Sequence, residues 1–210
     1  MKHPLTLRLR IVLLVCTGLS MALRAIAQES IPLEEAQKIA QKLAATPTTS
    51  SDQPFTVEVN ADQPVALRGG DAGLIVLPDK HLTADSFANA GKAITPVAQL
   101  WTYRVTLASG GKSVESGQVR VVTIGEGDQR KDTQFFLIGV VKNEQGVAEL
   151  VVFGKGREPV LHVPLTKGSA GPQDLPIALS GRQTGDDSAT LTLNLPGQFT
   201  ADLGVVKAGD

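Results

Sequence analysis

The sequence predicts a mainly β fold, an antiparallel β-sandwich of immunoglobulin-like or jelly-roll-like type with an N-terminal helix and one short connecting helix. Three observations carry this. Beyond Pro54, apolar and polar residues alternate in runs of strand length; turn-forming residues separate the runs; and the intervals leave no room for the helical crossovers that a parallel sheet requires.

The N-terminus comes before that pattern and reads as an export signal. Lys2, Arg8 and Arg10 precede an uncharged apolar run from Ile11 to Leu23, followed by Ala25-Ile26-Ala27. The run is shorter than the ~20 residues needed to span a hydrocarbon core, so cleavage between Ala27 and Gln28 is expected rather than a retained anchor. Val15 stands before Cys16 where a lipoprotein signal prefers a small residue, and no twin-Arg pair is present. The expected location is therefore secreted or periplasmic, by a Sec-type signal, with no stable membrane span after processing.

Residues 28–210 are long enough for one domain with a substantial core. The whole chain carries a formal charge of −1, and the signal takes away Lys2, Arg8, Arg10 and Arg24 without an acid. The resulting acidic, mixed surface argues against nucleic acid as a partner. Cys16 is the single cysteine and lies in the signal, so the processed domain has no disulfide and must be held together by its core.

From Ser30 to Ala45, Leu33, Ala36, Ile39, Ala40 and Leu43 recur at helical spacing, with Ser30 as cap and Pro32 in the first turn. The predicted organisation is a signal (1–27), an amphipathic helix (28–45), a polar, Pro-bounded linker (46–54) and a single sandwich domain (55–210). The helix docks on the domain or serves as a tether or partner-binding arm, docking being the commoner arrangement.

Phe55, Val57 and Val59 begin the alternation, followed by Val65–Leu67 and Gly73–Leu77; the first two runs can pair as a hairpin. Thr83 to Ala90 interrupts it with a short helix, capped at Thr83 and stopped at Gly91. Trp101, Tyr103, Val105 and Leu107 then form one core-facing row, with Thr102, Arg104 and Thr106 opposite. Thr133–Val141 is apolar on both faces, Phe135, Leu137 and Val141 on one and Phe136, Ile138 and Val140 on the other, as a central strand covered on both sides requires. With Val147–Phe153 it makes the best-defined hairpin. Leu161, Val163 and Leu165 form an edge strand, because Pro164 has no amide to give a ladder. Ile177–Leu179, Leu191–Leu195 and Phe199–Val206 complete about nine or ten strands.

Chemistry is sparse in this pattern. His81 and His162 stand in separate segments without a thiol, so no metal site is expected, and Asp128/Asp132 and Asp186/Asp187 lack the spacing of a calcium loop. No Gly-x-Ser-x-Gly elbow or phosphate-binding glycine loop occurs, so neither a catalytic residue nor a cofactor is expected. The one candidate binding site is Asp79, Lys80 and His81, a carboxylate, an amine and an imidazole in a loop after an apolar strand. Trp101 and Tyr103 read as core in preference to a sugar-stacking platform. The expected function is a non-catalytic binding or structural role in the periplasm or cell envelope, toward a protein or polysaccharide partner, with self-association open. The alternative is a secreted hydrolase or lyase acting on polysaccharide through two convergent carboxylates.

Overall fold

The alternating runs pair into two antiparallel sheets in a computed structural model that describes residues 28–48, 50–168 and 173–209. The predicted signal and its cleavage site, up to Ala27, lie outside the described residues. The elements in chain order are β1 (Glu29–Ser30), α1 (Leu33–Ala44), β2 (Val65–Gly69), β3 (Ala72–Pro78), α2 (Ala84–Ala88), β4 (Thr95–Tyr103), β5 (Val105–Ser109), β6 (Lys112–Ser113), β7 (Arg120–Ile124), β8 (Lys131–Lys142), β9 (Ala148–Phe153), β10 (Leu161–Pro164), β11 (Thr166–Lys167), β12 (Ala178–Gly185), β13 (Ser188–Leu195) and β14 (Phe199–Lys207). The larger sheet has the order β1-β2-β3-β4-β8-β9-β10, with β7 also paired to β8; the smaller has β12-β13-β14-β5-β6, with β11 on β14.

β8 holds the centre. Phe136, Ile138 and Val140 enter the core between the sheets, where Leu100, Leu150, Leu191, Leu193 and Leu203 meet them. Phe135 and Leu137 face the other way, into a second core beneath α1. This is the two-sided burial the sequence predicts, and the β8–β9 ladder, from Leu137 opposite Phe153 to Lys142 opposite Ala148, is the predicted hairpin. Its turn is closed by Asn143, whose Oδ1 accepts from the amides of Gln145 at 3.1 Å and Val147 at 3.0 Å. Gly146, at φ 78°, supplies the left-handed residue that turn needs. β10 ends the larger sheet's strand order, where Pro164 is tolerated.

The second core makes the protein three layers deep. Ala36, Ala40 and Leu43 of α1 are buried against Ala66, Ile75, Leu77, Trp101 and Phe135 on the outer face of the larger sheet. Trp101 and Phe135 pack edge to face at 4.8 Å, and Trp101 Nε1 donates to the buried Gln99 Oε1 at 3.2 Å. The helix thus docks on its own domain. It begins at Leu33 after Pro32, not at Ser30: Glu29 and Ser30 pair with Arg68 and Leu67 as β1. A free sheet edge beside β2 offers backbone partners that a helical cap at Ser30 would forgo. After α1 the chain stays on the surface of the domain, with Arg120 and Arg157 donating to the carbonyls of Thr48 at 3.0 Å and Ser51 at 3.1 Å.

Two other details differ from expectation. Phe55–Val59 is extended but makes only one bridge, Val59 to Asp79, and the first hairpin is β2–β3 instead. Phe55, Val57 and Val59 still face inward and cover the outer core beside α1. Gly139 of β8 leaves room for this cover, since a methyl group there would strike Ile94 Cγ2 and lie 3.1 Å from Phe55 Cζ. The expected single row from Trp101 to Leu107 is split at Arg104, whose φ of 59° turns the chain out of the larger sheet as β4 and into the smaller as β5. Trp101 consequently lies in the outer core and Leu107 in the inner one, while Thr102 and Thr106, expected outside, are buried. The short helix α2 spans Ala84–Ala88, with extended Thr83 at its N-cap donating its amide to Ser86 Oγ at 3.1 Å.

Candidate functional site

Four separated segments meet at the end of the sandwich where β3 begins. The β2–β3 turn enters with Gly70 at φ 60°, and Arg104 follows at the crossover between sheets. Asp186 and Asp187 form the turn from β12 to β13, and Lys207 closes β14. Backbone bonds tie these pieces together: Lys207 N donates to Asp187 O at 2.8 Å and Ala208 N to Arg104 O at 3.0 Å. Between them lies a cleft of about 230 Å³, with Leu67, Leu74, Val105, Ala189 and Val205 as its apolar lining. The charged groups on its rim are Arg68, Asp71, Arg104, Asp186, Asp187 and Lys207.

The rim is electrostatically organised. Arg104 Nη1 donates to Asp71 Oδ2. That hydrogen bond and the Arg104 charge hold the Asp71 carboxyl below the usual aspartate range, with Lys207 adding in the same sense. Arg68 Nε donates to Glu29 Oε2 at 3.1 Å and lowers that carboxyl in the same way. Both pairs are solvent-exposed, so they fix side-chain positions more than they stabilise the fold. Tyr103 lies beside the crossover with two cations near its ring, Arg104 at 5.5 Å and Lys131 at 5.2 Å from the centroid. An apolar floor under a charged rim suits a ligand that buries an apolar group and keeps polar atoms at the mouth.

Asp79, Lys80 and His81 stand at the opposite end of β3, about 23 Å away at strand rise. Asp79 is buried at 6% exposure. Its Oδ2 accepts from Glu58 N and its Oδ1 from His81 N, both at 2.8 Å, so both oxygens are engaged with backbone. This carboxylate is what joins the Phe55–Val59 segment to β3: the Lys80 amide also donates to Glu58 O at 2.7 Å. Lys80 and His81 remain exposed, and His81 Nε2 lies 3.3 Å from Glu58 Oε2. The other histidine, His162, has Nδ1 2.8 Å from Glu149 Oε1 on the β9–β10 pair.

Sequence reasoning missed the end cleft because its residues come from stretches far apart in the chain, and no local spacing marks them. Asp186 and Asp187 entered the sequence reading as an acidic pair without the spacing of a calcium loop. Among the described residues no group of three or more His, Cys, Asp or Glu side chains is placed to hold a metal ion. No helix among them is long and apolar enough to cross a membrane. No family model, curated protein or solved structure matches the chain.

Proposed function

We propose that this chain is an exported β-sandwich protein with a non-catalytic binding or structural role in the periplasm or cell envelope, engaging a protein or polysaccharide partner through the end cleft. The observation that carries the reading is the cleft itself, in which loops from both sheets converge on an apolar floor beneath a charged rim where Arg104 is paired with Asp71. Rigid sheets presenting loops at one end are a common scaffold for recognition. Export rests on the basic, apolar and small-residue layout of residues 1–27. The Asp79 loop takes second place as a contact surface: Asp79 is occupied in holding the segment before β2, and only Lys80 and His81 remain free to touch a partner.

The test is recovery of the protein from extracytoplasmic fractions, followed by capture of partners with the native chain and with Ala189→Trp, which fills the cleft floor. Partners retained by the native chain and lost by the variant support the cleft. Equal recovery on both removes it. Turnover of glycosides, peptides or esters by the purified protein, abolished by one Asp, Glu or His substitution, would replace this reading by catalysis.

A further inference from the structure

Resting on the cleft reading, we propose that the partner is a protein and that the end cleft takes its N-terminal residue, with an apolar first side chain on the floor and the α-ammonium at the mouth beside Asp186 and Asp187. At about 230 Å³ the cleft suits one side chain in place of a run of sugars. Its floor of Leu67, Leu74, Val105, Ala189 and Val205 offers that group apolar contact alone.

The rim selects the charge. Glu29 holds Arg68 and Asp71 holds Arg104. Asp186 and Asp187 are exposed in the turn from β12 to β13 and have no ion-pair partner among the described residues. Glu29, Asp71, Asp186 and Asp187 thus stand against Arg68, Arg104 and Lys207, one negative charge in excess, and a single cation completes the rim. An acidic sugar would meet like charge there. Gln28 supplies an acceptor as well: its Oε1, in the wall of the cleft, is buried with no hydrogen-bond donor, and Gly181 makes room for it, since a methyl group there would coincide with that oxygen. The last torsion of a glutamine is soft, which lets the acceptor turn toward an N–H group at the mouth. The order of the layers fixes the kind of amine. A lysine side chain entering the cleft would carry its charge down to the apolar floor, where an ammonium is costly. In a first residue the ammonium and the side chain spring from the same Cα, so the apolar group enters while the charge stays at the rim.

The test titrates leucine N-methylamide into the isotope-labelled protein at low salt and follows amide chemical shifts. Shifts are expected at Gly70, Ala72, Asp187 and Ala189 around the cleft. Binding should be roughly fivefold tighter than that of the N-acetyl derivative, which keeps the side chain and lacks the charge. The preference should fade with added salt, and as pH rises through about 8, where an α-amine gives up its proton. Asp186→Asn combined with Asp187→Asn should remove the preference and leave the weak binding of the acetylated form. Equal binding of the two forms, both lost in Ala189→Trp, overturns the amine and leaves the cleft reading standing. Tighter binding of N-acetyl-lysine N-methylamide, or of cellohexaose, overturns it in favour of a lysine side chain or a sugar. No shift at the cleft with any of these compounds overturns the proposal, and the cleft reading is then decided by partner capture with Ala189→Trp.

Discussion

Truncating Leu43 to alanine removes the side chain with which the last turn of α1 holds the outer face of the larger sheet. Leu43 is 3% exposed and belongs to the same packed group as Ile75, Leu77 and Trp101. Losing its terminal carbons forfeits about 2–3 kcal/mol at roughly 0.8 kcal/mol per buried CH2. The cavity left beneath the helix brings the total to about 3–4 kcal/mol, because the sheet below cannot collapse to fill it. For a domain of this size that corresponds to a fall in Tm of about 6–16 °C. Thermal unfolding of the protein, followed by far-ultraviolet circular dichroism, measures it. Leu33→Ala is the internal control: the same chemical change in the same helix, at a side chain 44% exposed, should cost under about 0.5 kcal/mol. Equal, small effects at the two positions would mean that α1 is not part of the cooperative unit, and the three-layer description would be wrong.

Other perturbations have equally definite outcomes. Asp79→Ala strips two backbone amides of their acceptor at a buried position and should cost about 2–4 kcal/mol by denaturant unfolding, whereas Lys80→Ala on the exposed side of the same loop should be near neutral. Gly139→Ala should destabilise by about 1–3 kcal/mol through overpacking against Ile94 and Phe55, with Phe55→Ala in the same chain recovering part of the loss. At Arg104, glycine should be tolerated and valine should cost about 1–2 kcal/mol more than glycine, because the left-handed φ is the constraint at the crossover. The carboxyls of Glu29 and Asp71 are lowered in the folded chain, so their contribution is present above the ordinary carboxylate range and is lost as pH falls through the folded values. Unfolding followed from pH 6 downward should therefore show a small loss of stability near pH 4 and below that Asp71→Asn reduces; an unchanged profile would contradict the Arg104 pairing.

The elements most legible in the sequence were those with burial on both sides. Phe135 to Val140 announced a central strand because no polar residue interrupts either face, and Pro164 announced an edge because it removes a ladder donor. Local alternation alone was a weaker guide. Phe55, Val57 and Val59 do bury one face, yet the Asp79 carboxylate and two backbone bonds hold the segment in place of a ladder. Arg104 left no trace in composition, since a left-handed residue that is not glycine looks like any other surface arginine in a strand. Ser30 read as a cap because nothing local reveals that Leu67 and Arg68 offer it a sheet edge. The end cleft was illegible for a related reason: its floor and rim are assembled by sheet register, joining residues more than a hundred positions apart.

Amide hydrogen exchange on the protein probes the layered arrangement most directly, because protection follows burial and pairing strand by strand. With neighbours on both sides and cores against both faces, the amides of Phe136 to Val140 in β8 should be among the slowest in the molecule. Those of β12, at the end of the smaller sheet, should exchange much faster. Exchange in β8 as rapid as in β12 would mean that this strand is not enclosed between the helix layer and the second sheet.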